Sequence, residues 1–333
     1  MDVRLARPTD APLVLGLTLD ERAHVVKSPD WPADRPLVRA LTRSVLALAY
    51  PGRTWIARDG GSSALLEARP RRYVIGWDIT RLAVHGDRAL VLPAVVEAAT
   101  RHLHDRGVPR LFARCQEEAR GELEELGFRP LAREQVLVGS GGAREELDPL
   151  PADSRYRMPQ DAWPLHQLES AITPPLVRQL EGLTSLDWAQ GARGLSEIVV
   201  ECDGRVVGWI GWGPGGCAGM QQLGILVHPE HTELLRPLLS HVLGRAPSGS
   251  SFLVRVRDYQ PEALTALLEA GFTLIGEEIL MVRHGRVALA SVEKARLRVA
   301  HVPSVGAFPF HMVNSGPGAA ARALPGPQKE VHS

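Results

Sequence analysis

One segment of this chain occurs twice, the second occurrence following the first at a constant 144 residues. Pro93, Gln116, Glu118, Ala119, Leu123, Glu125, Gly127, Phe128, Glu134 and Val138 recur as Pro237, Gln260, Glu262, Ala263, Leu267, Glu269, Gly271, Phe272, Glu278 and Val282. Upstream, Leu82-Ala83-Val84-His85 is echoed by Ile225-Leu226-Val227-His228, at an offset one residue shorter. Solenoid units have periods of about 20–50 residues, so a repeat this long marks a duplicated domain. A chain of 333 residues also exceeds one ordinary core and suits two.

Composition removes several function classes. The formal net charge is zero, whereas a nucleic-acid binder carries a basic face. Cys115, Cys202 and Cys217 are widely spaced, which fits a reducing compartment and supplies no thiolate zinc site. The opening residues lack the apolar stretch of a signal peptide, and no run of apolar residues is long enough to span a membrane. The expectation is a cytoplasmic protein.

Val3–Arg7 followed by Pro8-Thr9-Asp10 predicts a short strand entering a helix, and Arg155–Met158 followed by Pro159-Gln160-Asp161 repeats it. Residues 11–26 and 35–49 are expected to be helical. Glycine turns at Asp59-Gly60-Gly61 and Asp203-Gly204 predict one hairpin per copy. Strands are then expected at 73–84, 110–115 and 135–138, and helices at 90–106 and 117–126, the latter ended by Gly127. The second copy repeats this order. The resulting division is a domain at 1–139, a polar linker at 140–153, a second domain at 154–285 and a low-complexity, flexible tail at 286–333.

This order of elements resembles the GNAT superfamily of acyl-CoA-dependent N-acyltransferases, and so does the wording. "VRLARPTDAP" is similar to the family's first strand and turn. "RLAVHGDRALVLPAVVEAATRHLHDRGVPRLFARC" is similar to its central strand, pyrophosphate loop, helix and next strand. "ELEELGFRPLARE" and "ALTALLEAGFTLIGEE" are similar to its last helix and closing strand. The resemblance covers residues 2–138 and 154–284. It implies two mixed α+β domains, each a mostly antiparallel twisted sheet with a central parallel strand pair flanked by helices. It further implies that acetyl-CoA lies where the parallel strands splay, its pyrophosphate on the N–H groups that open the following helix.

Carried over residue by residue, the resemblance assigns the donor loop to Val84, His85, Arg88 and Ala89 in the first copy. In the second it assigns Val227, His228, His231 and Arg236. Asp78 is the candidate general base on the central strand, where the second copy offers only Gln221 and Gln222. Trp209 and Trp212 are candidate aromatic walls of an acceptor pocket. No metal is expected, because His228 and His231 lack a third ligand in the sequence.

Both copies depart from the family pattern in the same places. Leu92 and Leu235 stand where the loop's last glycine is expected. Pro93 and Pro237 fall in each helix's opening turn and supply no N–H. Asp87 and Glu233 bring negative charge to the phosphate position. Leu123 and Leu267 replace the family's proton-donating tyrosine, and leucine cannot protonate a leaving thiolate. The leading expectation is an N-acyltransferase moving an acetyl group to a small-molecule or protein amine, with the first copy favoured because it keeps Asp78 and Arg88. The alternative is a non-catalytic GNAT-like ligand-binding or protein-interaction module that has lost CoA chemistry. A third reading has the two copies packed together with one serving as scaffold.

Overall fold

The computed structural model describes residues 1–27, 52–71, 76–142, 148–191, 195–214 and 220–285. The expected helix at 35–49, Trp31, Cys217, the glycines at 215 and 216, and the tail from 286 lie outside the described residues. Met1–Arg286 form one compact unit.

The duplicated openings fold alike because each carries the same Arg–Asp clasp. β1 (Asp2–Leu5) leads to the buried Asp10, whose carboxylate takes two N–H groups of Arg4 at 2.6 and 3.0 Å and the Arg7 backbone N–H at 2.7 Å. β8 (Ser154–Tyr156) leads to the buried Asp161, which takes Arg155 at 2.7 Å twice and the Met158 N–H at 2.6 Å. Helices α1 (Ala11–Leu19) and α4 (Ala162–Ile172) start directly after these clasps. A buried carboxylate is tolerated there because the planar guanidinium satisfies both of its oxygens.

The first copy continues through β2 (His24–Lys27), β3 (Arg53–Asp59), β4 (Ser62–Pro70), β5 (Trp77–His85), α2 (Arg88–His104), β6 (Arg110–Cys115), α3 (Glu117–Glu125) and β7 (Arg129–Ser140). After β8 and α4, the second copy continues with α5 (Pro175–Glu181), α6 (Ser185–Gly191), β9 (Ser196–Cys202) and β10 (Arg205–Pro214). β11 (Met220–Val227), α7 (Leu235–Arg245), β12 (Ser251–Arg257), α8 (Pro261–Glu269) and β13 (Thr273–His284) complete it. Two of these observations correct the sequence reading. The stretch read as helix to residue 26 ends at Leu19 and returns as strand β2, where Val25 and Val26 are β-branched and buried. In the first copy α2 begins at Arg88, so Pro93 sits in its second turn; Pro237 does fall in the first turn of α7.

The described strands join one sheet in the order β1-β3-β4-β5-β6-β13-β7-β12-β11-β10-β9-β8, with β2 added on β5. The two copies are therefore not closed separately. β13, the last strand of the second copy, lies between β6 and β7 of the first. β7, the last strand of the first, lies between β13 and β12 of the second. Each closing strand completes both halves, and the sheet reads the same outward from the antiparallel β7–β13 pair. The cores record the exchange. Ile279 and Met281 of β13 are buried among Leu111, Val95, Leu123 and Phe128, while Leu137 of β7 is buried among Phe252, Val254 and Leu267.

Helices α2 and α3 cover one face of the first half, and α1 packs Val14 and Leu17 against Ile56 and Leu65 on the other. In the second half α7 and α8 take one face, and α4 and α6 the other. α5 reaches over the seam, where Val177 meets Phe112, Leu131 and Leu280. The sheet thus has two mostly antiparallel halves, each holding one parallel strand pair flanked by helices.

Candidate donor clefts and the ionic seam

Each half has one place where neighbouring parallel strands stop pairing. In the first half β5 and β6 pair only at Trp77↔Leu111 and Asp78↔Phe112. In the second β11 and β12 pair from Met220↔Ser251 to Leu223↔Val254. Beyond those points the backbones diverge, which leaves one edge of β5 and of β11 for another strand-like partner.

The two gaps differ in what lies in them. On β5 the gap is taken by the protein itself, since β2 pairs with it at His24↔Ala83, Val26↔Leu82 and Lys27↔Arg81. β2 also contacts β6, and Val25 and Val26 enter the first half's core. Among the described residues no strand pairs with β11 beyond Leu223 on that side. The His228 N–H donates to Val207 O of β10 at 2.8 Å. Strand alternation then turns the N–H groups of Ile225 and Val227 to the opposite edge, into the gap. An extended ligand with alternating amides fits that edge and finds the equivalent edge of β5 filled.

The assigned donor-loop residues are placed as follows. Val84 is buried opposite Ala64, and His85 is exposed opposite Ser63. Arg88 opens α2 with Nε 3.0 Å from Glu122 of α3, and Ala89 is exposed beside it. Val227 ends β11 opposite Gly208. His228 lies 3.8 Å from Glu230 and His231 3.4 Å from Glu233. Arg236 turns toward the segment between the copies, its Nε 2.9 Å from Asp148. The two arginines in this group thus sit beside carboxylates of the same chain. The first loop is also tightly built. Gly86 has φ +82°, Ser62 Oγ accepts the Asp87 N–H at 2.9 Å, and a Cβ on Gly86 would lie 2.5 Å from that hydroxyl and 2.9 Å from Ser62 Cα. Gly86→Ala is expected to lower stability by about 2 kcal/mol, read as a shift in urea midpoint.

Trp209 and Trp212 do not form two walls of one pocket. They are three apart on β10, so the period of two sends them to opposite faces. Trp209 is buried with α4 and α6, edge-on to Trp188 at 5.3 Å, its indole N–H donating to Glu197 at 2.9 Å. Trp212 packs against the α7–α8 core. Leu123 and Leu267 are fully buried in the two cores. Burial pushes the Cys115 thiol up to about 11, so the nucleophilic thiolate is disfavoured there.

Asp78 belongs to an ionic network that runs across the seam. Its Oδ1 meets Arg71 at 3.3 Å and Arg114 at 3.2 Å. Arg114 also binds Glu134 at 2.6 Å, and Arg255 binds Glu278 at 3.0 Å in the same relation on the other half. Glu134 and Glu278 are direct partners across β7 and β13, so the repeat's two glutamates face each other at the centre of the sheet. Like charges opposite one another repel. Here Arg114, Arg255 and Arg257 surround Glu134, the last two at 4.0 and 3.6 Å, and Arg255 bridges to Glu278. Burial raises the Glu134 carboxyl, but these three guanidiniums outweigh it and hold the group down to about 2. Arg257 also grips the buried Glu181 of α5 at 2.6 and 2.7 Å and donates to the Tyr259 hydroxyl at 2.7 Å.

Sequence reasoning found Asp78 but not its company. The recurrence of Glu134 as Glu278 was the one available signal, since a charged residue kept in a buried closing strand needs a partner. Glu181, Arg257 and Tyr259 fall in segments that carry no repeated pattern.

No family model matches the sequence, and no curated protein matches it. Solved structures do. A tandem GNAT protein from the clavulanic acid biosynthesis pathway, solved without AcCoA, is similar at 15% identity and a TM-score of 0.48, over 86% of this chain and 99% of that one. A GCN5-related N-acetyltransferase from Sphaerobacter thermophilus is similar at 18% identity and a TM-score of 0.48, over 86% and 96%. One from Kribbella flavida is similar at 13% identity and a TM-score of 0.41, over 85% and 72%. Among the described residues no helix is long and apolar enough to cross a membrane, and no group of three metal-ligating side chains converges.

Proposed function

We propose that this chain is an acyl-CoA-dependent N-acyltransferase, acetyl transfer to an amine being the reaction, and that only its second half takes the acyl donor. One observation carries the division of labour: β2 fills the β5–β6 gap, while the edge of β11 presents the Ile225 and Val227 N–H groups to a gap that no described strand enters. This reading departs from the expectation that favoured the first half, because Asp78 and Arg88 are engaged by Arg71, Arg114 and Glu122. In this reading the first half is scaffold. The second half supplies positioning and backbone polarisation of the thioester.

Acetyl-CoA titrated into the full chain is expected to bind saturably, with hydrogen exchange slowed over residues 223–228 and unchanged over residues 80–85. No binding at millimolar acetyl-CoA, or protection confined to residues 80–85, would overturn the proposal. A second reading draws on the burial of Leu123 and Leu267, which leaves neither copy a hydroxyl at the family's proton-donor position. Under it the second half binds acyl-CoA or a related ligand without turnover, and protection would appear with no thiol released to any amine.

A further inference from the structure

Several carboxylates lie on or near the face of the seam covered by α4, α5 and α6, and many are gripped by an arginine: Asp78 has Arg71 and Arg114, Glu134 has Arg114, Glu181 has Arg257, Glu197 has Arg157 and Glu278 has Arg255. Glu169, in the last turns of α4, has no arginine at hydrogen-bonding or ion-pair distance among the described residues. Its Oε2 accepts the Trp188 indole N–H at 2.7 Å, which leaves the second oxygen uncommitted. α4 lies along the diverging part of β11, with Leu165 and Leu168 in one cluster with Leu226. The C-terminal end of α4 reaches the other lip of the gap, where Thr173 lies beside Tyr259, two residues beyond the end of β12.

We infer that Glu169 is the side chain that takes the proton from the incoming amine in the second half, an assignment that rests on the donor-cleft reading above. The amine nitrogen forms the C–N bond at the thioester carbonyl, and the C–S bond breaks with its electron pair leaving on the CoA sulfur. The nitrogen's proton passes to the free oxygen of Glu169, and solvent protonates the thiolate. Trp188 is the positioning residue that fixes the carboxylate. The surroundings suit the task. Burial, and then the like charge of Glu181, push the Glu169 carboxyl up to about 7, against the pull of Arg257, the Trp188 hydrogen bond and Arg71. A base poised near neutrality accepts a proton from an ammonium-derived nucleophile and returns it to water without a large penalty. A carboxylate locked by a guanidinium does not.

The test compares full-length wild type, Glu169→Gln and Glu169→Asp. Acetyl-CoA affinity is measured by calorimetry, and thiol release with an alkyl diamine, an arylalkylamine and an amino-acid amide across pH 5.5–8.5. Wild type is expected to show a rate rising with pH to a plateau above about 7. Glu169→Gln is expected to bind acetyl-CoA as wild type does, lose about 100-fold in kcat and lose that rising limb. Glu169→Asp is expected to keep the limb at reduced kcat. Retention of rate and limb in Glu169→Gln overturns the assignment, as does acetyl-CoA binding without transfer to any of the three amines. In both cases the donor cleft stands, whereas absence of acetyl-CoA binding removes the cleft reading itself.

Discussion

Expressed alone, residues 1–142 are expected not to form a stable monomer. In the intact chain β7 is held on one edge by β12 and on the other by β13, and both partners come from the second half. Removing them leaves twelve residues of β7 with no ladder, strips β6 of its β13 neighbour, and takes Ile279 and Met281 out of the first core. Exposed strand edges seek another chain. The isolated half is therefore expected to aggregate or to pair with itself, two copies of β7 meeting as β7 and β13 now do. Mixed with residues 148–285, it is expected to give a one-to-one complex with a single cooperative unfolding transition. Light scattering after size exclusion distinguishes these states, and a folded monomer of residues 1–142 would show that the exchange is dispensable.

Glu134→Gln is expected to cost about 3–5 kcal/mol, because it removes the anion that three buried or half-buried guanidiniums share. Breaking a buried cluster by one member leaves the remaining charges uncompensated. Glu278→Gln should cost less, since Glu278 is only half-buried and pairs, among the described residues, with Arg255. The pH dependence has a definite sign. Glu134 is held at about 2 in the folded chain, below the ordinary carboxyl value of 4.5 that applies when unfolded. Its contribution is thus present above about pH 4.5 and is lost as pH falls toward 2. Urea midpoints of wild type and Glu134→Gln are expected to differ most at neutral pH and to converge in acid. A gap independent of pH would mean that Glu134 acts through packing instead of charge.

Much of the architecture was legible in the sequence because local pattern and spatial neighbour agreed. The strand-to-helix entries at Pro8-Thr9-Asp10 and Pro159-Gln160-Asp161, the glycine-turn hairpins and the helices beginning near Arg88 and ending at Gly127 all follow from short-range chemistry. The exchange of β7 and β13 was not legible, since a closing strand has the same alternation whichever half it pairs with. β2 was read as helix because four residues are too few to show a period of two. The candidate site suffered most. Its assigned residues came from a loop pattern, whereas the network at the seam is built from residues such as Arg71, Glu181 and Arg257, which are far apart in sequence and become neighbours only through the exchange. The opposed faces of Trp209 and Trp212 follow from their spacing of three on a strand.

The position of β13 has a consequence for how the chain is made. Synthesis runs from the N-terminus, and domains ordinarily fold as each leaves the ribosome. Here the strand that fills the middle of the sheet is among the last of the described segments to be translated, while β1 at the rim is the first. The first half must therefore wait, with β6 and β7 unjoined, until Thr273–His284 have emerged. A nascent chain stalled anywhere before that point exposes two strand edges. Translation of those twelve residues converts an unfinished sheet into one continuous body.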